Sequence, residues 1–335
     1  MPNFLSVGDL SQSFLMNRNN TALKTKLNQL SLELTTGKVQ DVAAHLRGDF
    51  SPVISIDRTL TTLAAYKTSN AEAALLTTNM QDSLEAVQGY VSEAGPNLIM
   101  AGESGNFQML KPAAGDAKQK FDAVISTLNT QTAGRSLFSG TATDRTPLAP
   151  SATILNALNV AVAGETTAAG VQAVVDTWFA PGGGFDAVAY KGSVNNIAPL
   201  KIGANETSSL TVRADNGAFR ESLKGLAVAS LVSDGVLSGS VSEQADLLSY
   251  AGEVLLTAES AVLDIRTNVG VIEAQIEQAS VRNTTETNVL TIARAGLLEA
   301  DPYKTATELQ AAQTQLETLY TLTARLSQLS LSRFI

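Results

Sequence analysis

Cysteine is absent from this chain, tryptophan and histidine occur once each, as Trp178 and His45, and only 5% of residues are aromatic. Without thiols the fold uses neither disulfides nor thiolate metal sites. Hydrophobic residues still make up 44% of the 335, so the chain can bury a core, and that core must be largely aliphatic. Charge is scarce too, at 16%, with 32 Asp and Glu against 23 Lys and Arg for a formal net charge of -9. That balance disfavours nucleic acid or an anionic membrane as the main partner. No apolar stretch reaches the roughly 18–20 residues that span a bilayer. Met1–Leu5, followed by Asn17–Asn20, lacks the basic segment and apolar run of a secretory signal. The expectation is a soluble chain without membrane insertion, long enough for two or three domains of roughly 100–200 residues.

Chemical motifs are missing as well. His45 has no cysteine partner and no obvious acidic companion at ligand spacing, which favours a surface or packing histidine. Neither a G-x-S-x-G elbow nor S-x-x-K occurs, and no phosphate loop or dinucleotide fingerprint is present. Gly182–Gly184 lacks the Lys-Ser/Thr and the helix that would make it a phosphate cradle, so it reads as a flexible turn. Sequons begin at Asn19, Asn205 and Asn283, a pattern short enough to arise by chance. The reading is of a non-enzyme without cofactor or metal. An enzyme or adhesin activity carried on an insertion is kept as a remote alternative, since exposed insertions can acquire function.

What the chain does hold is periodicity. Leu248, Leu255, Val262, Val269, Ile276, Leu290 and Leu297 fall seven apart, interleaved with Ala251, Ala258, Ile265, Ile272, Ala279, Ala293 and Ala300. This a/d seam predicts a long helix, on the order of 80 Å, facing partner helices. Ser240 and Glu243 have capping-box spacing at its start. Asn283 and Glu286 interrupt the seam, either as a solvated, splayed stretch or as a polar layer that fixes register.

Asp301-Pro302 predicts the start of another helix, with Leu309, Ala312, Leu316, Leu319, Leu322, Leu326 and Leu329 on one face. From Asp301 to Ile335 thirteen Ser, Thr or Gln accompany only six charged residues, the mark of a helix made for partners rather than an ordinary surface helix. The amino end mirrors it with Met16, Leu23, Leu27, Leu30 and Leu34, and Gly37 as the stop. Ser51-Pro52 begins a further long helix through Leu60, Leu76, Leu84 and Val91, and a shorter one fits Asp116–Leu128. Between Gly140 and Phe219 the helical pattern fails among prolines and glycines; Leu210–Arg213 alternates like a strand and Asn216-Gly217 reads as a turn.

The fold class expected is mainly α with a β-containing insertion: an elongated antiparallel helical bundle built from both chain ends, with a small middle domain. Its divisions are an amino-terminal assembly region 1–45 paired with 300–335, rod halves 46–140 and 220–299, and a mixed insert 141–219. Rod packing falls to Leu248, Leu255, Val262, Ile265, Val269, Ile272 and Ile276.

Stretches at both ends and in the middle of the chain resemble the bacterial flagellin family. Leu30–Lys38 is similar to its amino-terminal segment, and Ala300–Tyr303, Ala306–Leu309 and Leu326–Leu331 to its carboxyl-terminal signature. Gly134-Arg135-Ser136-Leu137-Phe138-Ser139-Gly140-Thr141 resembles an element of the hook-filament junction branch, with Ser136 where an aromatic is usual. Tyr190–Gly192, Ile202-Gly203 and Ser330–Ile335 are similar to that branch as well. The resemblance implies a subunit exported unfolded through the flagellar type III apparatus, escorted by an export chaperone at its carboxyl-terminal helix. It further implies a ring of copies between the first hook-associated protein and flagellin, on the extracellular flagellum; a filament flagellin is the alternative.

Overall fold

The computed structural model describes residues 7–331, with side chains from 11 to 326. Long helices dominate: α1 (Val7–Thr36), α3 (Ser51–Ser104), α4 (Phe107–Leu128), α7 (Gly217–Ser233), α8 (Val241–Leu298) and α9 (Pro302–Leu331), with the short α2 (Val42–His45) between the first two. Two small hairpins, β1–β2 (Gln131–Thr132 and Arg135–Ser136) and β3–β4 (Leu200–Lys201 and Thr207–Ser208), are the described sheets. Contacts divide the chain into one unit of residues 1–62 and 285–335 and another of residues 63–284. The architecture is mainly α, with the strands confined to short hairpins.

In the 63–284 unit, α3 and α8 run antiparallel, joined at seam positions. Leu84, Val87 and Val91 on α3, and Leu248, Leu255, Val262 and Val269 on α8, are all fully buried. Ile265 and Ile276 are also buried, and Ile272 is half-buried against the core. The helices come closest at small residues. A Cβ on Gly252 would meet Ile99 Cγ1 at 2.5 Å and the Gly95 carbonyl at 2.7 Å, and one on Gly102 would meet the Ala245 carbonyl at 2.6 Å. Arg266 fixes the same register through Glu85, at 3.2 Å, and Gln88.

The second layer is α4 against α7. Residues 141–219 fold into the same apolar cluster, through Leu158, Val175, Trp178 and Phe185. Two helices occupy this segment, α5 (Ser151–Ala161) and α6 (Ala168–Phe179), followed by one π-turn at Phe185–Ala189. This corrects the expectation that helical pattern fails there. Ile154, Leu155 and Leu158, then Val171, Val175, Trp178 and Phe179, do lie at helical spacing. Each run is too short to stand out between prolines, and Pro150 caps α5 rather than breaking it.

Other boundaries move for local reasons. Leu210–Arg213 forms no strand, and Asn216 is the N-cap of α7, its side chain accepting from the Ala218 N–H. For α3 it is Asp49, not Ser51, that supplies the capping oxygen, its carboxylate accepting from the Ser51 N–H at 3.0 Å. Helix α4 starts at Phe107 because Asn106 caps it and Pro112 sits within it without ending it. Ser240 does accept from the Glu243 N–H, at 3.3 Å. The Glu243 carboxylate turns instead to the Ala168 N–H at the start of α6, tying two helices together. The Gly182–Gly184 turn is closely fitted, Gly184 lying against the Trp178 indole.

Charged groups cross-brace this unit. Arg220 lies 4.5 Å from the Phe185 ring centroid and donates to Asp186. Burial works to raise the Asp186 carboxyl, but the Arg220 and Gly182 donors outweigh it and hold the group below its ordinary value. Asp176 accepts from Tyr250 at 2.6 Å and pairs with Lys224 at 3.0 Å; burial, with the Asp176 bond, pushes the Tyr250 phenol up to about 12.

The close crossing yields a paired expectation. Gly252→Ala should destabilise this unit by about 1–3 kcal/mol, the usual cost of overpacking, although alanine is the better helix former. Gly89→Ala, where nothing lies within 4 Å, should stabilise by about 1 kcal/mol through propensity alone. Chemical denaturation of the two variants checks both signs.

Candidate assembly surface

The unit formed by residues 1–62 and 285–335 is built around a backbone clamp. Gly37, at φ +67°, ends α1 and lets the chain turn. Its carbonyl then accepts from the Ala300 N–H at 3.0 Å, while the Val39 N–H donates to the Leu298 carbonyl at 3.0 Å. Lys38 and Glu299 form an antiparallel bridge. The segment after α1 and the segment between α8 and α9, two of the motifs singled out in the sequence, are thus brought together. Asp301 caps α9 with one carboxylate oxygen, accepting from the Tyr303 and Lys304 N–H groups at 2.9 and 3.1 Å. Buried Glu33 accepts from the Gln29 side chain and the Gln40 N–H, and Arg294 pairs with Asp57 at 2.6 Å.

Beyond the clamp α1 and α9 lie antiparallel. Lys26 meets Glu308 at 3.2 Å, and further along the Thr323 hydroxyl lies 3.8 Å from Met16 Sδ. Leu30 is buried, Met16, Leu23, Leu27, Leu309, Leu316 and Leu319 are half-buried, and Leu34 and Leu326 are exposed. Leu329 lies outside the described side chains. The stripes therefore meet each other, leaving a groove lined by Leu23, Leu319 and Leu322.

Among the described residues, the fully buried apolar side chains of this unit are Leu30, Val53, Ala300 and Ala312. Large apolar groups stay outside: Phe14 is 69% exposed, Ile292 73% and Tyr303 84%, joined by Leu15, Leu32, Ile54 and Leu322. Sequence periodicity missed these because they fall off the stripe; their signal was aromatic and aliphatic residues on an otherwise Ser/Thr/Gln-rich face. Exposed apolar side chains gathered on one unit are a feature of surfaces that bind partners.

The remaining singled-out residues are structural. Leu137, Phe138 and Ser139 are fully buried in the other unit, Phe138 edge-on to Phe219 at 5.9 Å between centroids. Gly134 occupies the β1–β2 turn at φ +75°, and a Cβ on Gly140 would meet the Asn195 carbonyl at 2.3 Å. Ser136 is buried and donates to the Arg145 carbonyl at 2.6 Å. His45 is exposed at the end of α2, and no group of three or more potential metal ligands occurs among the described residues. No helix among those residues is long and apolar enough to cross a membrane.

Few buried groups hold α1 and α9, so their amides should open far more readily than those of the seam. Hydrogen exchange on the isolated chain should be fast along residues 11–35 and 303–326 and slow from Leu248 to Ile276. Equal protection in both regions would show that α1 and α9 need no further partner.

Residues 253–335 match the family model of the bacterial flagellin C-terminal helical region. No curated protein matches the chain by sequence. Among solved structures, FlgL of Bacillus cereus is similar at a TM-score of 0.51 and 15% identity, over 72% of this chain and 98% of that one. A Vibrio parahaemolyticus protein assigned as a flagellar hook-associated protein aligns at a TM-score of 0.40 and 12% identity, over 70% and 94%. Residues 253–335 thus match the flagellin C-terminal helical region, and the fold is similar to that of FlgL.

Proposed function

We propose that this chain is a non-enzymatic structural subunit of the bacterial flagellum that joins the hook to the filament. Its partners are the first hook-associated protein on one side, flagellin on the other, and copies of itself in a ring. The observation that carries the reading is the thin-cored unit of α1 and α9, rich in exposed apolar side chains, whose α9 lies within residues 253–335 matched to the flagellin C-terminal helical region. Neighbouring subunits would bury those faces and complete a core the single chain lacks. Charge favours this too. Residues 1–62 and 285–335 hold ten Lys or Arg and ten Asp or Glu, so the whole net charge of -9 falls on residues 63–284. Neutral faces can abut without like-charge repulsion.

On this reading residues 1–45 and 300–335 are assembly segments, 46–140 and 220–299 a rod, and 141–219 an insert facing outward. The protein acts outside the cell after type III export, with α9 guarded by an export chaperone until assembly. A second reading, a filament flagellin, is favoured by the same match over residues 253–335. Copy number separates them. A few copies of this chain per purified flagellum fits the junction, and thousands would make it the filament subunit.

Assembly through α9 is tested by Leu319→Pro, which removes an amide donor in mid-helix at a cost of about 3 kcal/mol or more. The expected outcome is cells that build hooks, release flagellin into the medium and do not swim, while circular dichroism of the variant retains most of its helix. Normal filaments on those cells would overturn the assignment of α9.

A further inference from the structure

The α3–α8 seam loses volume toward one end. From Met80 it passes through Thr77 and Ala73 to Asn70 on α3, facing Ile276 and Ala279 on α8. The gap is filled from outside the pair by the β3–β4 hairpin, whose Ile202 joins Ala73, Ile276 and Ala279 in a cluster separate from the main core. One polar side chain from each long helix holds the hairpin backbone. The Ser69 hydroxyl donates to the Lys201 carbonyl at 2.9 Å, and the Asn283 amide to the Ile202 carbonyl at 3.0 Å. Lys201 lies 5.8 Å from the Tyr66 ring centroid, and Glu206 pairs with Arg282. Asn283, which interrupts the heptads, thus serves as an anchor.

This attachment carries a built-in opposing term. Asn70 sits on α3 between Ser69, which holds the hairpin, and Ala73, which packs under it. It is 2% exposed, and neither its amide nitrogen nor its oxygen meets a partner in the protein. The Ser208 hydroxyl on β4 is likewise buried without a partner. Buried groups left unpaired oppose the closed arrangement and are relieved when it opens to water. Against them stand a cluster of two alanines and two isoleucines with Leu200 and Ile272 packed on it, two neutral hydrogen bonds and a half-exposed ion pair that contributes little.

We propose that the β3–β4 hairpin is a reversible clasp across α3 and α8, closed in this structure, that opens locally while the remainder of the 63–284 unit stays folded. Asn70 sets how readily it opens. The clasp closes the last stretch of that unit, since the division of the chain falls after Thr62 on α3 and after Thr284 on α8. Its opening would free α3 and α8 from the last cross-tie between them within the 63–284 unit.

The absence of cysteine makes opening directly measurable in the full-length chain. Ala73→Cys places a thiol under the hairpin, and Ala258→Cys places one in the main core, both at positions no more than 1% exposed. Under native conditions a maleimide should modify Ala73→Cys at least about tenfold faster than Ala258→Cys, because the first needs only local opening. Adding Asn70→Leu should slow the first about tenfold or more and leave the second unchanged, since one unpaired amide is removed from the closed state. Equal rates at the two positions would overturn the clasp. So would no slowing by Asn70→Leu, which would make Asn70 a register-fixing residue of the seam instead. In the unaltered chain, the Ile202 and Gly203 amides, which bond the Glu206 carbonyl, should exchange ahead of those of α8 from Leu248 to Val269. Exchange in step with α8 would contradict local opening even if the cysteine variants were perturbed.

Discussion

The near contact of α3 and α8 backbones is the constraint on which the other layers depend. Glycine at 95, 102 and 252 lets the two helices approach until the backbone of one meets the side chains and carbonyls of the other. That approach leaves Ala251, Leu255 and Ala258 facing inward and fully buried. Gly225 on α7 repeats the device, its missing Cβ making way for Leu255 at 2.7 Å, so α7 seats on the α8 surface and α4 on α7. An aliphatic, aromatic-poor core follows, because interdigitated small and branched residues fill narrow seams better than rings do. The rings gather instead around Trp178, Phe179 and Phe185, where short helices leave wider gaps.

Buried charge in the 63–284 unit is spent on holding elements together. Arg220 joins α7 to the π-turn, Lys224 and Tyr250 meet Asp176 from α7 and α8, and Lys118 reaches Asp234. Constellations of lysine, tyrosine and carboxylate are also what a catalytic site would use, yet each member here has a partner on a different helix. Bracing accounts for them. Among the described residues of the other unit, few apolar groups are buried and Phe14, Ile292 and Tyr303 lie outside.

How far the sequence discloses this depends on the range of the cause. The α8 seam is legible because seven-residue spacing is repeated over many turns, and Gly37 and Asp301 because a cap acts within three residues. Helices α5 and α6 are not, since their few apolar residues sit between prolines and derive their burial from α4, α7 and each other. Glu243 was legible as a cap and turned out to serve a helix far away in sequence. The association surface was half legible: the stripes through Leu23 and Leu319 announce paired helices, but Phe14, Tyr303 and Ile292 become telling only once burial is known.

The same reasoning bears on why Asn70 and Asn283, both polar interruptions of heptads, have different consequences. Asn283 projects to where a hairpin carbonyl waits, so its amide is satisfied and its cost is offset. Asn70 faces a seam whose neighbours are apolar, and nothing in the protein meets it. A buried amide is worth little when paired and costs much when not, so the two residues differ by their surroundings and not by their chemistry. The hairpin that satisfies Asn283 is held from α3 by Ser69, the residue beside Asn70. Stability at this end of the seam is therefore a small difference between opposing terms, whereas near Leu255 every buried group adds in the same direction.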